Sequence, residues 1–296
     1  MPKKLEAAWA LLKQVAVSWV DDYVPSMGAA LAYYTMFSLA PLLLIVISVA
    51  GLVFGEDAAR GEIESQLRAL MGERGAGAVQ ALLASTREPL EGTAATVLGV
   101  LLLLVGATTV FGELQDALDR IWRAPARAGA SGWLALVRAR LLSFGMILAI
   151  GFLLIVSLVI SAALSSMDRL WGPSIGSDIA WAAVVNETGA FLFVAVMFAL
   201  IYKLMPRARV EWKDVWIGAG VTALLFTGGK FLIGLYVGRS GVVSGFGAAG
   251  SLVVVLLWVY WSAQIFLVGA TFTWVYANTF GSRKPAVASA PRPPGP

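Results

Sequence analysis

The sequence predicts an all-α fold, an integral membrane bundle of six transmembrane helices with an interfacial N-terminal helix and a small extracytoplasmic helical cap. Three observations carry this. The 296 residues are 59% hydrophobic and only 14% charged, with mean hydropathy +0.80, a membrane composition rather than a soluble one. Six apolar runs recur, each long enough to cross a hydrocarbon core of about 30 Å at about 1.5 Å per residue. The basic residues outside these runs divide fifteen to six in favour of the side that holds both termini. The positive-inside rule therefore makes both termini cytoplasmic.

Residues 1–25 form a cytoplasmic amphipathic segment. Leu5, Trp9, Leu12, Ala16 and Trp19 recur at helical spacing, with Lys3, Lys4 and Lys13 elsewhere, which suits a helix lying along the headgroups. It lacks the compact apolar core of a cleavable signal. The transmembrane domain spans 26–280. Its first run, Met27 to Phe54, holds no charge over 28 residues. Tyr34, Ser38, Pro41 and Ser48 share one face of it, and Pro41 frees the carbonyl of Phe37. A face with hydroxyls and a loosened backbone points toward protein or a cavity rather than lipid.

The insert 55–92 carries seven acids against four arginines. Ile63, Leu67, Leu70 and Met71 mark one short helix, and Val79, Leu82 and Leu83 a second, with a break predicted at glycines 72, 75 and 77. This is the outer cap. Spans follow at 93–111, about 141–164, about 179–205, 215–237 and about 250–277. The second continues as a solvated helix on which Asp116–Arg120 and Asp119–Arg123 are i, i+4 pairs. Residues 281–296, rich in Pro, Ala and Ser, read as a disordered cytoplasmic tail.

There is no cysteine and no histidine, which removes disulfides, thiol chemistry and the commonest general base and metal ligand. No metal site, no cofactor and no catalytic residue is expected. Gly245 to Gly250 matches G-x-G-x-x-G but follows no strand, so it reads as a tight entry into span six. Glu113 and Asp116 admit a coupling cation, although a solvated helix end explains them as well.

Lys230 lies deep in the fifth span, where a lysine costs at least about 2.5 kcal/mol. It shares a face with Thr227, Gly234 and Gly238, and Gly234-x-x-x-Gly238 permits close approach of another helix. Glu187 on the preceding span is expected at comparable depth, as an ion-pair partner or as part of one anionic-headgroup site. Snorkelling of Lys230 to the outer interface is the competing reading. Gln264, Tyr34 and Ser38 join Lys230 and Glu187 as candidates for a substrate or ion pathway. For Gln264 interhelical hydrogen bonding competes with substrate contact. Pro41, Gly234 and Gly238 are assigned to helix kinking and packing.

Three stretches resemble the YihY/BrkB family of bacterial inner-membrane proteins. They are Ala29-Ala-Leu-Ala-Tyr-Tyr-Thr-Met-Phe-Ser-Leu-Ala-Pro41, Tyr202-Lys-Leu-Met-Pro206 with Val210-Glu-Trp-Lys-Asp214 and Gly218-Ala219, and Gly247-Ala-Ala-Gly-Ser251 with Leu257-Trp-Val-Tyr260 and Gly269-Ala270. The resemblance implies a six-helix protein of the inner membrane. Members of that family have been associated with serum resistance and export of lipid or lipopolysaccharide, and some carried a ribonuclease label. The leading expectation is a transporter or flippase-like protein for a lipid or amphiphilic anion of the envelope, and not an enzyme. The alternative is a non-transporting scaffold that recruits envelope proteins. Ribonuclease activity is disfavoured, no nucleic-acid partner is expected, and oligomeric state is left open.

Overall fold

The computed structural model describes residues 3–85, 109–124, 179–239 and 250–284. Among the described residues every regular element is a helix. They are α1 (Lys3–Asp21), α2 (Val24–Phe54), α3 (Glu56–Ser85), α4 (109–121), α5 (Ile179–Leu204), α6 (Trp212–Arg239) and α7 (Gly250–Thr279). Two stretches, Trp212–Tyr236 and Leu252–Thr279, are long and apolar enough to cross a membrane, with Thr188–Leu204 a shorter apolar helix. The expected spans at 93–111 and 141–164 lie outside the described residues, apart from 109–111. So do 86–92 of the insert, 240–249 with most of the glycine motif, and 285–296 of the tail.

Helix α7 is the post around which the others stand, packing against α6, α2, α3 and α1. α1 turns its Val15 and Ser18 inward. The stripe expected on it splits, because Leu5, Trp9 and Leu12 stay more than half exposed while Trp19 packs into the core. Docking on α7 claims the last turn and leaves the first three apolar residues outward. α2 continues through Pro41 as one helix of 31 residues. Pro25 stands in its first turn, where a missing N–H is no loss. Gly55 ends it at φ 87°, a left-handed turn that glycine enters without a Cβ clash.

α3 breaks once, at Gly72, whose φ is 73°. Gly75 and Gly77, expected as further breaks, stay helical. A methyl at Gly75 would lie 2.5 Å from Met71 Cβ, so glycine there lets the chain tuck in directly after the bend. Met71 and Val79 bury themselves against Ile233 of α6 and Val254, Val255 and Trp258 of α7. A second cluster joins Val24 and Met27 to Leu118, Tyr202, Val215 and Leu267.

Apolar contacts alone do not hold helices together in lipid, because the acyl chains are equally apolar. Here α6 and α7 are joined by a reciprocal exchange of glycine and threonine. A Cβ at Gly218 would fall 1.8 Å from Thr273 Oγ1, and one at Gly269 only 2.0 Å from Thr222 Oγ1. Each threonine therefore occupies the space that the other helix's glycine leaves empty. Each hydroxyl also donates to the carbonyl of the glycine four residues before it, Thr222 to Gly218 and Thr273 to Gly269, both at 2.7 Å. Gly218→Ala is expected to force the two backbones apart at a cost of about 1–3 kcal/mol. Thermal unfolding in detergent checks this, with part of the loss recovered in the Gly218→Ala, Thr273→Ala double variant.

Candidate functional site

Lys230 lies on the side of α6 that carries Ala219 and Ala223, both wholly buried. Leu224 and Phe231, on the other side, are 64% and 71% exposed. A cation on this inward line is turned toward protein, and Lys230 itself is half-buried. Among the described residues it makes no ion pair and no hydrogen bond. Phe226, one turn earlier, packs edge-on against Trp258 of α7 and against Phe198 of α5. Lys230 therefore follows directly on the junction of three helices.

Two contacts fix the register of α5 against α6. Tyr202 meets Thr222 with hydroxyl oxygens 3.0 Å apart, and Phe198 meets Phe226. Continued outward, that register sets Glu187 level with Val237, seven residues past Lys230 and so about 10 Å farther along the axis. The two were expected within about a turn of one another. The Glu187 side chain is outside the described residues. Gly234 was assigned to close packing, yet no described atom lies within 4 Å of a Cβ built there. The close approaches fall at Gly218, Gly229 and Gly269 instead, where Ile265 Cδ1 would stand 2.3 Å from a Gly229 Cβ.

Gln264 faces a different neighbour from Lys230. Its amide lies across Gly28, where a Cβ would be 2.0 Å from Nε2, and donates to the carbonyls of Pro25 at 3.3 Å and Val24 at 3.5 Å. Its Oε1 is buried without a partner among the described residues. The bonds it makes tie α7 to the first turns of α2. On α2 itself Ser38 is buried and donates back to the Tyr34 carbonyl at 2.8 Å, while the Tyr34 ring is 37% exposed and packs on Tyr33. Nothing is described of the side chain of Pro41 or of residues around Gly238 beyond the helix that carries them.

Tyr202 opens one of the stretches that carry the family resemblance, but no structural role was assigned to it from the residues. Its hydroxyl, fully buried, donates to the Phe266 carbonyl at 2.7 Å and touches Thr222 Oγ1, so one phenol links α5, α6 and α7. The paired Gly-x-x-x-Thr spacings at 218–222 and 269–273 were the legible signal for this region.

Charged groups gather where α4, α5 and α7 end and α6 begins. Arg207 of the α5–α6 loop reaches the acids of α4, 3.3 Å from Asp119 and 3.8 Å from Asp116. The cations left over cover aromatic rings: Arg123 over Trp274, Arg283 over Trp122, Arg120 over Tyr23 and Lys203 over Trp212. Asp214, 2% exposed, accepts from the backbone N–H and the hydroxyl of Ser282. Residues 281–284, expected in the disordered tail, are therefore docked, and Arg283 adds a bond to the Arg209 carbonyl. Among the described residues no group of three acids converges to hold a metal ion.

A family model described as "Virulence factor BrkB" matches residues 15–293. Proteins named UPF0761 membrane protein are similar along most of the chain. One from Pseudomonas paraeruginosa is 28% identical over 281 residues, covering 94% of this chain and 65% of the relative. One from Alkalilimnicola ehrlichii is 30% identical over 273 residues, 89% of this chain and 57% of the relative, and one from Tolumonas auensis is 26% identical over 271 residues, 89% and 86%. The chain thus spans about three fifths to two thirds of the first relatives' length. No solved structure matches.

One titratable group at the α1–α2 corner lends itself to a solution test. Asp22 precedes Tyr23, which is held left-handed at φ 56°, and its Oδ2 is buried without a hydrogen-bond partner among the described residues. Burial raises its pKa above the ordinary 3.8, against the opposing pull of Arg123 and Arg120. The folded protein then holds the proton more tightly than the unfolded chain, so stability falls as pH rises through this window. Melting curves collected upward from about pH 4 should show that decline. Asp22→Asn should flatten it and melt higher than the parent at neutral pH.

Proposed function

The chain belongs to the BrkB family of membrane proteins, and we propose that it carries an amphiphilic anion, a lipid or lipid-like envelope component, across the bacterial inner membrane. On this reading it is a multi-pass protein of six spans, with both termini cytoplasmic and α3 on the outer side. The basic cluster of Arg120, Arg123, Lys203, Arg207, Arg209 and Arg283 then faces the cytoplasm, as the positive-inside rule asks.

The position of Lys230 carries the proposal. By the α5–α6 register, Lys203 at the charged end of α5 stands level with Val221, nine residues before Lys230. On this reading Lys230 lies about 13 Å into a core of about 30 Å, close to half depth. A lysine there is costly to keep, and here it faces protein without a partner of opposite charge among the described residues. An anionic group that visits the site supplies the missing counter-charge. Glu187, about 10 Å outward, then marks the outer approach, Ser38 and Tyr34 border the route along α2, and Gln264 holds α2 in place. No nucleotide-binding motif accompanies the site, so movement is passive, ion-coupled or driven by a partner. The reading involves no enzymatic step and no nucleic acid.

A second reading, a scaffold that recruits envelope proteins, draws on α3. There Glu56 and Glu73 stand exposed and Glu64 is half-buried, while Met71 and Val79 fix the helix to the bundle.

Liposomes containing the full chain and fluorescent phosphatidylglycerol separate the two. Wild type is expected to redistribute the lipid between leaflets, and Lys230→Met to slow this at least about tenfold, the loss of one charge-assisted contact. Lys230→Arg should retain most of the rate. No movement by wild type favours the scaffold, and a Lys230→Met rate equal to wild type removes Lys230 from the mechanism.

A further inference from the structure

Two further buried polar groups on α7 have no hydrogen-bond partner among the described residues, Nε1 of Trp258 and Oγ of Ser262. They are four residues apart, one turn of the helix, on the side that also carries Gly269 and Thr273 and so faces α6. Trp258 is 9% exposed. The α6–α7 register is set by three contacts, Gly218 with Thr273, Thr222 with Gly269 and Gly229 with Ile265. Carried on to Lys230, these pairings bring it level with residues 261 to 264 of α7, the turn that holds Ser262. Phe226, a turn from Lys230, already rests on Trp258, with ring centroids 6.3 Å apart.

Lys230, Ser262 and Trp258, none with a hydrogen-bond partner among the described residues, thus fall within about two turns of one another along one helix pair. A buried polar atom without a partner is uncommon in folded proteins, and two on successive turns beside a half-buried lysine make a set. All three donate: an ammonium, an indole N–H that cannot accept, and a hydroxyl. Such a set suits a ligand that offers oxygen acceptors and negative charge. We propose that Lys230, Ser262 and Trp258 form a binding site for a phosphate-type oxyanion, reached either as the headgroup of a lipid or as the free ion. This rests on the reading of Lys230 as a ligand contact and adds to it the two α7 residues and the chemistry of the group they hold. The ammonium takes one oxygen through a charge-assisted bond, and the indole and hydroxyl take the others.

The test uses the full chain purified in detergent. Phosphatidylglycerol and a diacylglycerol with the same acyl chains are titrated by native mass spectrometry, and inorganic phosphate by phosphorus NMR line broadening. Trp258→Phe and Ser262→Ala each remove one donor while nearly conserving shape, which protects the fold. Each is expected to weaken binding about fivefold, and Lys230→Met more than about tenfold, as neutral and charge-assisted hydrogen bonds differ. Phosphatidylglycerol should bind at least about tenfold tighter than the diacylglycerol. If the variant pattern appears with phosphate alone, the ligand is the free ion; if only with the phospholipid, it is the headgroup. Either supports the site. Equal binding of the two lipids with no binding of phosphate overturns it. Trp258→Phe and Ser262→Ala that bind as wild type overturn it too: with Lys230→Met still impaired, the role of Lys230 survives, and with all three unchanged both readings fall.

Discussion

The exchange of Thr222 and Thr273 into the gaps at Gly269 and Gly218 is the contact on which the rest of the bundle depends. Water drives soluble helices together, but hydrocarbon offers no such push, so a membrane bundle must gain its cohesion from close packing and shared polar atoms. Glycine supplies the closeness and threonine fills it, while its hydroxyl stays satisfied on its own backbone. Tyr202 then extends the joint to α5 by donating to the Phe266 carbonyl. With the α5, α6 and α7 registers locked at this point, the depth of every side chain farther along those helices follows, Lys230 and Ser262 included.

The helical class and the places where helices begin and end were legible because they depend on local chemistry. Apolar runs, Pro25 in a first turn and Gly55 after a last one speak through their neighbours in sequence. Partner choice was not legible, because it depends on which faces meet. Gly234-x-x-x-Gly238 and Gly218-x-x-x-Thr222 look alike as spacings, yet the described structure packs only the second. The i, i+4 rule pairs Asp116 with Arg120, but Arg207 comes from 88 residues beyond Asp119 in the chain and bonds it through both side chain and backbone. Distance along the sequence hides that contact. Of the pathway candidates, Lys230 was found by its cost and Gln264 by its polarity; that they serve different helix pairs needed the register. Tyr202 and Trp258 stood in the stretches that carry the family resemblance and Ser262 in none, but the partners of all three were hidden, since a Tyr, Ser or Trp in a span is ordinary until its neighbours are known.

The charged end obeys a different economy. Arg123, Arg283, Arg120 and Lys203 cover indole and phenol faces more than they seek carboxylates. Near a membrane surface this suits long cationic side chains, which lay apolar stems over rings and leave their charges toward water. The acids are left for structural duty, Asp119 on the α5–α6 loop and Asp214 beneath the end of α7.

Asp214 has one more consequence. Its carboxylate grips the main chain at Ser282, so the chain there is held at a fixed point beside Arg209. Tension applied beyond that point, by a tag, a fused domain or a tethered partner, would be absorbed at this clasp and at the start of α6 before it reached the seam between α6 and α7. Trimming the chain back past Ser282, conversely, would strand a carboxylate that has almost no access to water.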